Sequence, residues 1–446
     1  MDRSDQHLWF EQALLADGWA RDVRLTISAG SITRVESGVT HAATDEMHAI
    51  AIPGLPNLHS HAFQRAMAGL TETRGPSNDS FWTWRELMYR FVAMLNPDQF
   101  EAIAAMAFAE MLESGFTRVG EFHYLHKDVS GVSYANAGEM AVRVANAARE
   151  TGIGLTLLPV FYAHSGFGGQ APKPSQQRFI HDVDGFARLL DASRKAVADI
   201  DDAIVGVAPH SLRAVTPEEL TEIAKIANGA PIHIHIAEQT KEVEDCVTWS
   251  GKRPVEWLLA NNAVDQSWSL VHATHMTAQE TRDMARSKAV AGLCPITEAN
   301  LGDGIFPATD FLHDGGRFGI GSDSNVLIDA AEELRLLEYG QRLNHRARNV
   351  LATPGHSTGA RLYKAALTGG RQSLGATDNA WVSFNPADPA FASRSGDAIL
   401  DSWIFASRAP IDCVWVNGKK VVQDGRHLHR EAIESRFRAT LARLLA

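Results

Sequence analysis

The chain has 446 residues, 45% of them hydrophobic and 21% charged, and a formal net charge of −11. This length suits one large domain and one smaller one, because a (β/α)8 barrel alone takes about 250 residues. The negative charge disfavours a nucleic-acid partner, and no apolar run approaches the roughly 18 residues that cross a membrane. Three widely spaced cysteines indicate neither a disulfide framework nor a Cys-rich zinc site, which favours a cytoplasmic location.

The first 52 residues show the alternation of apolar and polar side chains that is typical of strands. Val23, Leu25 and Ile27 alternate with polar neighbours, and Ile32 follows a turn at Gly30. Strands are predicted over residues 8–15, 19–28, 31–35 and 49–52.

From Pro53 onwards, short apolar runs alternate with longer helical stretches. The predicted strands are 54–59, 117–122, 154–161, 204–209, 232–237, 269–273, 289–295 and 318–323. The predicted helices include 97–114, 138–151, 183–198, 217–228, 254–261, 278–287 and 331–349. Eight strands with intervening helices predict an α/β fold, a parallel TIM-like (β/α)8 barrel over residues 53–375.

Strand character returns near the C-terminus, with strands predicted over 381–384, 400–405, 413–416 and 419–422. Asn417-Gly418 is a strong hairpin turn, and a closing helix is predicted over 431–445. We expect residues 1–52 and 376–446 to form a small β-sandwich domain together.

Histidines and acidic residues occur where the predicted barrel strands end, which is where barrel enzymes carry their reactive groups. His59 and His61 lie two residues apart on the first strand, so both imidazoles point to one side. His235 ends the fifth strand, and Glu238 follows where a general acid/base could stand beside a metal ion. His233 is interpreted as an interior histidine.

Two further predicted barrel strands also end in residues that could bind a metal ion or take part in catalysis. His272 ends the sixth strand, and Asp323 ends the eighth after Gly319 and Gly321. Nitrogen and oxygen ligands without thiolates suit zinc, with iron as second choice.

This pattern resembles the amidohydrolase superfamily over nearly the whole chain. The stretches 53–65, 235–239 and 321–325 are most similar to formimidoylglutamate deiminases. The resemblance implies one metal ion held by His59, His61, His235 and Asp323, and it implies that Glu238 and His272 are catalytic, with Asp323 sharing the proton of the attacking water. Binuclear relatives carry a carbamylated lysine on the fourth strand; residues 204–209 contain no lysine, which favours a single ion.

The implied reaction converts N-formimino-L-glutamate and water to N-formyl-L-glutamate and ammonia, a step of histidine degradation. Two arginines suit the two carboxylates of such a small anionic, amino-acid-derived substrate. By resemblance, Arg85, Arg213 and Tyr124 would bind the carboxylates, with Gln64 and His210 nearer the reacting group. Arg85 could instead begin a helix and pair with Glu86.

Two alternatives stay open at this point. A related deaminase or chlorohydrolase acting on a purine, pterin or triazine ring would share the same ligands. A catalytically inactive barrel scaffold is the remoter alternative, although such a protein would usually have lost ligands. Homodimers are common among the relatives, so a homodimer is expected. Residues 164–174, rich in Gly and Pro, could form a lid or a passive loop.

Overall fold

The structure is a computed structural model that describes residues 5–75, 79–376, 379–408 and 410–446. Its strands are β1 (Gln6–Leu15), β2 (Gly18–Ser28), β3 (Ser31–Glu36), β4 (Glu46–Pro53), β5 (Leu55–Ser60), β6 (Phe116–His123), β7 (Gly154–Phe161), β8 (Ile204–Val205), β9 (Ala208–Pro209), β10 (Ile232–Ile236), β11 (Trp268–His272), β12 (Val290–Leu293), β13 (Arg317–Ile320), β14 (Ala380–Phe384), β15 (Ile411–Val416), β16 (Lys419–Gln423) and β17 (Arg426–His427).

The helices are α1 (Phe81–Val92), α2 (Pro97–Ser114), α3 (Glu139–Thr151), α4 (Val183–Ala196), α5 (Pro217–Ala227), α6 (Thr240–Ser250), α7 (Pro254–Asn261), α8 (Ala278–Ser287), α9 (Pro295–Leu301), α10 (Ala308–His313), α11 (Ala330–His345), α12 (Thr358–Leu374), α13 (Asp397–Phe405) and α14 (Arg430–Leu444). Short 3-10 helices span Ala62–Met67, Pro174–Gln176 and Pro389–Phe391. Within the described ranges, no helix is both long and apolar enough to cross a membrane.

The barrel is built from parallel strands in the order β10-β11-β12-β13-β5-β6-β7-β8, with β9 also pairing β7. Isolated parallel bridges from Val207 to Ile232 and from Ser211 to His235 join the fourth strand position to the fifth and close the cylinder. The predicted parallel barrel is therefore confirmed. Its fourth strand, predicted as one run over 204–209, is divided into β8 and β9.

Local sequence signals fix several of the barrel helices. Asn96 accepts a hydrogen bond from the backbone N–H of Gln99 at the start of α2, and Thr216 caps α5 in the same way through Glu219. In both helices a proline occupies the first turn, where its missing N–H costs nothing.

Both chain ends contribute to a second sheet, in the order β17-β16-β15-β14-β4-β1-β2-β3. Its neighbours are antiparallel except for β1 and β4, which run parallel. Leu8, Phe10, Val23, Leu25 and Trp415 are buried in a core of its own beside the main core of the barrel. A small β-unit made from both ends is thus present, as predicted.

The prediction of a strand over 400–405 is wrong, because this segment lies in helix α13. Ile399, Leu400, Trp403 and Ile404 are buried, and spacings of one, three and four residues place them on one face of a helix. The run is short and apolar, and such runs occur in both buried strands and buried helices.

Candidate active site

Three imidazoles and one carboxylate converge at the carboxyl ends of the barrel strands. His59 and His61 are presented by β5 and the residue after it, His235 by β10, and Asp323 by the segment after β13. Their ligand atoms all lie within 4.8 Å of one another, and all four residues are buried. Asp323 Oδ1 lies 3.4 Å from His59 Nε2 and 3.3 Å from His61 Nε2.

The imidazole rings of His61 and His235 are oriented so that one nitrogen of each ring can bind a cation. His61 Nδ1 donates to the carbonyl of Phe122 at 2.9 Å, and His235 Nδ1 donates to the carbonyl of His210 at 3.1 Å. Each donation leaves Nε2 with a lone pair facing the cluster, the usual arrangement of metal-binding histidines. His235 Nε2 lies only 3.0 Å from His59 Nε2.

The protonation states of these histidines also fit a metal ion. Burial lowers the pKa of His59 to about 3, although Asp323 opposes this shift, and burial lowers the pKa of His235 well below its ordinary value. Burial would raise the pKa of Asp323, but His59, His61 and His272 outweigh it and lower that pKa. Neutral imidazoles around a carboxylate form a donor set that suits zinc.

A buried polar network joins the first and eighth strands beneath the cluster. Asn57 donates to Ser322 Oγ at 2.6 Å and accepts from the Ser322 N–H at 3.0 Å. Ser322 Oγ donates to Asn325 Oδ1 at 2.6 Å, and Asn325 donates to the carbonyls of His61 and Asp323. The network fixes the backbone of His61 and Asp323, and the sequence analysis did not assign it a role.

The backbone at the strand ends is unusual. Ala237, His272 and Asp323 have φ angles of 51°, 68° and 42°. Side-chain-bearing residues rarely adopt this left-handed region, and such strain concentrates at functional sites. Here it turns the chain sharply at three of the strand ends that carry the predicted site residues.

Glu238 and His272 lie next to the cluster and close to each other. His272 Nε2 is 3.8 Å from Glu238 Oε1 and 3.9 Å from Asp323 Oδ2. Burial raises the pKa of Glu238 to about 7, with Asp323 adding to the shift and His272 opposing it. Burial would lower the pKa of His272, but Glu238, Glu298 and Asp323 raise it to about 10.

Glu298, at the start of α9, holds His272 from the far side. Its Oε1 accepts from His272 Nδ1 at 3.2 Å and from the backbone N–H of Cys294 at 2.9 Å. The sequence analysis missed this carboxylate. Its position just after the seventh strand was the available signal.

Three residues of the cluster, His61, His235 and Asp323, line a cavity of about 550 Å³ that is also lined by all five predicted substrate-binding residues. Gln64 donates to the Tyr124 hydroxyl at 3.0 Å, and His210 Nδ1 is 3.1 Å from Ser211 Oγ. The Arg85 guanidinium carbon lies 4.5 Å from the centre of the Trp82 ring. Arg213 is buried, with its Nε 3.8 Å from Glu242 Oε1.

Other side chains lining the cavity were not predicted. Tyr162 follows β7 directly, as Tyr124 follows β6, and its hydroxyl accepts from Gln176 at 2.8 Å. Met88, Tyr89, Phe179 and Leu301 complete an apolar wall. His233 lies outside the cluster, where its Nε2 donates to the carbonyl of Ser373 at 3.0 Å, in agreement with its interpretation as an interior histidine.

Comparison with known proteins gives consistent matches. Residues 50–368 match the amidohydrolase family, and residues 7–49 match the N-terminal domain of formimidoylglutamate deiminase HutF. A formimidoylglutamate deiminase of Pseudomonas aeruginosa is 51% identical, covering 98% of this chain and 99% of the relative.

Two solved structures show the same fold. The crystal structure of an amidohydrolase from Brucella melitensis has a TM-score of 0.96 and 54% identity, covering 99% of this chain and 100% of that one. An adenosine deaminase from Xanthomonas campestris with bound zinc has a TM-score of 0.81 at 20% identity, covering 99% and 98%, which is a likeness of fold alone.

Proposed function

The chain belongs to the amidohydrolase family, and from this membership and the site we infer that it hydrolyses N-formimino-L-glutamate to N-formyl-L-glutamate and ammonia in histidine degradation. The observation that carries the proposal is that one cavity is lined by His61, His235 and Asp323 of the His/His/His/Asp cluster and by two guanidinium groups, those of Arg85 and Arg213. The cluster provides for hydrolysis, and two cations match a substrate with two carboxylates. The 51% identity to a formimidoylglutamate deiminase supports this assignment.

His59, His61, His235 and Asp323 would hold the metal ion. We propose a single zinc ion, with iron as second choice, because the donors are nitrogen and oxygen and residues 204–209 offer no bridging lysine. When bound, the ion would act as a Lewis acid that makes water nucleophilic at neutral pH.

Glu238 is proposed to move the protons of the reaction. Its carboxylate, together with Asp323, takes a proton from the attacking water as the new C–O bond forms at the formimino carbon. Glu238 returns this proton to the imino nitrogen, whose double bond to carbon becomes single, and then transfers the second proton of the added hydroxyl to the same nitrogen, so that the C=O bond forms, the C–N bond breaks and ammonia leaves. Burial holds the pKa of Glu238 above that of an ordinary glutamate, which suits a carboxyl group that must both accept and donate a proton.

His272 is proposed to stabilise the charge that develops during attack. Held between Glu238 and Glu298, a protonated imidazole can donate from Nε2 towards the tetrahedral centre. Its position next to Asp323 keeps this donor close to the reacting oxygen.

The substrate would be oriented by the upper part of the cavity. Arg85, Arg213 and Tyr124 are proposed to bind its two carboxylates, and Gln64 and His210 to contact the formimino end. Because Arg213 is buried, its positive charge is costly unless negative charge lies nearby. A substrate carboxylate would add to the negative charge of Glu242, whose Oε1 lies 3.8 Å from Arg213 Nε.

The remaining proposals concern the whole protein. We propose two units, residues 53–375 as the barrel and 1–52 with 376–446 as the β-unit, because the two sheets divide near these positions and the second sheet has a small core of its own. A homodimer and a cytoplasmic location are proposed from the resemblance and from the three free cysteines.

The test is ammonia release from N-formimino-L-glutamate by the zinc-loaded enzyme, beside N-formimino-L-aspartate and guanine. We expect turnover of the glutamate compound and, in Arg213→Ala, a loss of kcat/KM of about 100-fold or more, since a charged hydrogen-bonded contact contributes about 3 kcal/mol. The control is Arg282→Ala, which removes a half-buried arginine of α8 that hydrogen-bonds Gln279 and does not line the active-site cavity. Guanine turnover, or an unchanged rate in Arg213→Ala, would return the assignment to a ring deaminase.

A further inference from the structure

A second cavity of about 1210 Å³ opens beside the active-site cavity. We call it the outer vestibule; it lies between α1, α6 and the loop 163–176. Arg85 and Arg213 line both cavities, and the ring of Trp82 lies against both guanidinium groups, at 4.5 and 6.0 Å. The two arginines therefore form a shared wall between the vestibule and the site of reaction.

The charge of the vestibule is opposite to that of the protein. Lys173 on the loop and Lys241 on α6 line it together with the two arginines, and Asp245 is the single carboxylate among its lining residues within the described chain. Asp245 already pairs with Lys241 at 2.8 Å. A cationic recess thus adjoins the active-site cavity in a chain whose formal net charge is −11.

The loop that carries Lys173 is tied to the active-site wall. Ser165 Oγ donates to the carbonyl of Ala171 at 2.7 Å, and Gln176 joins the Lys173 N–H to the Tyr162 hydroxyl, each at 2.8 Å. Phe167 stacks on Trp249 of α6, with ring centres 5.5 Å apart. The loop is therefore one wall of the vestibule, and its hydrogen bonds hold the backbone of Lys173 in place.

We propose that the outer vestibule is an anion-binding site for small dicarboxylates, in which Lys173 and Lys241 concentrate the substrate before Arg85 and Arg213 take its carboxylates. This inference rests on the proposed function. Cationic recesses with low-dielectric walls raise the local concentration of an anion, and added salt weakens the effect because the Debye length falls from about 30 Å at 0.01 M to about 3 Å at 1 M. Accumulation of the dianion lowers KM and leaves kcat unchanged.

The test compares Lys173→Gln/Lys241→Gln with wild type as a function of ionic strength. At about 0.01 M ionic strength we expect kcat/KM for N-formimino-L-glutamate to fall roughly tenfold with kcat within about twofold, and the difference to shrink below about twofold at 0.5 M salt. The matched control, Lys225→Gln/Lys419→Gln, removes two exposed lysines that also have carboxylate partners, away from the vestibule. It should keep the wild-type salt dependence.

A binding measurement separates this proposal from the proposed function. Calorimetric titration with glutarate needs no turnover, and we expect its Kd at low salt to rise several-fold in the lysine double variant and not in the control. Unchanged glutarate affinity and an unchanged salt slope of kcat/KM would overturn the vestibule proposal. Weakened glutarate binding without any turnover of the formimino compound by wild type would overturn the proposed function alone.

Discussion

Glu298, which follows the seventh barrel strand, extends the candidate site with a second carboxylate next to His272. It lies on α9, and its Oε1 contacts both His272 Nδ1 and the N–H of Cys294. Hydrogen bonds of this kind fix the orientation of an imidazole and stabilise its protonated form. We therefore regard Glu298 as a positioning residue for His272.

Replacing Glu298 by Gln keeps the shape of the side chain and removes its charge. We expect kcat to fall roughly 10- to 100-fold, with KM within about threefold and the metal content unchanged, because His272 loses the partner that orients it. Steady-state kinetics with metal analysis would measure this.

Glu333→Gln is the matched control for Glu298→Gln. Glu333 is also buried and also accepts a backbone N–H of α9, that of Ile296 at 2.9 Å, without touching His272. Burial raises its pKa well above the ordinary value, so the amide closely imitates the protonated acid. Equal losses of kcat in the two variants would show that Glu298 acts through folding alone.

For individual residues, the sequence was most informative about the candidate site where a polar residue stands at the end of a predicted strand. His59, His61, His235 and Asp323 could be predicted to meet because parallel strands bring their carboxyl ends to one face. Glu298 and the Asn57–Ser322–Asn325 network were missed, because carboxylates, amides and hydroxyls after a strand are common in loops and the sequence alone does not show which partner each one contacts.

Helix α12 packs against β5, which carries His59, and β13, which precedes Asp323, with almost no space between them. A methyl group on Gly369 would lie 1.9 Å from the carbonyl oxygen of Phe318 in β13, and one on Gly370 would lie 3.1 Å from Pro56 in β5. The two glycines allow the helix to approach the seam between the first and eighth strands.

We expect Gly369→Ala to destabilise the protein, because the clash is with backbone and cannot be relieved by rotating a side chain. Overpacking of this kind typically costs about 1–3 kcal/mol, to be measured as the loss of free energy of unfolding in denaturant. Gly340→Ala in α11 is the control, since its new methyl group meets its nearest atom at 4.0 Å. That change should stabilise by about 0.5–1 kcal/mol, as Ala does in open helix positions. A neutral Gly369→Ala would show that α12 can move away from β13.

Among the secondary-structure elements, prediction succeeded where the hydrophobic pattern had a clear helical period and a proline or capping residue marked the start of the helix. Helices α2, α7 and α8 were predicted with the observed ends, and each begins at a proline or follows a capping threonine. The strand prediction for residues 400–405 failed because six mostly apolar residues are too few to show whether their hydrophobic pattern has the period of a helix or of a strand. Packing against α12 decides that this segment is helical.

The barrel as a whole has two seams with little strand pairing. The first and eighth strands share one paired register position, Ile320 with Asn57, plus the isolated bridge from Ser60 to Asp323. The fourth and fifth meet through isolated bridges, one of them from Ser211 to His235. The four residues of the His/His/His/Asp cluster come from the first, fifth and eighth strands, so an ion bound by them would link parts of the barrel that the sheet joins weakly.

Metal binding should therefore stabilise the entire fold. Treatment of the loaded enzyme with a chelator is expected to abolish activity and to lower Tm, and one equivalent of zinc should restore both. Free metal at 1,000 times its Kd contributes about 4.1 kcal/mol. With an unfolding entropy of about 2.1 cal/mol/K per residue, this corresponds to a shift of roughly 4 °C for a chain of this length.

Two histidine variants test where the stabilising ion binds. His235→Ala removes the cluster residue of the fifth strand and should show little zinc-induced rise in Tm. His233→Ala removes a side chain outside the cluster and should retain the zinc-induced rise even if its baseline stability falls. An equal zinc-induced rise in His235→Ala and wild type would place the stabilising metal elsewhere in the molecule.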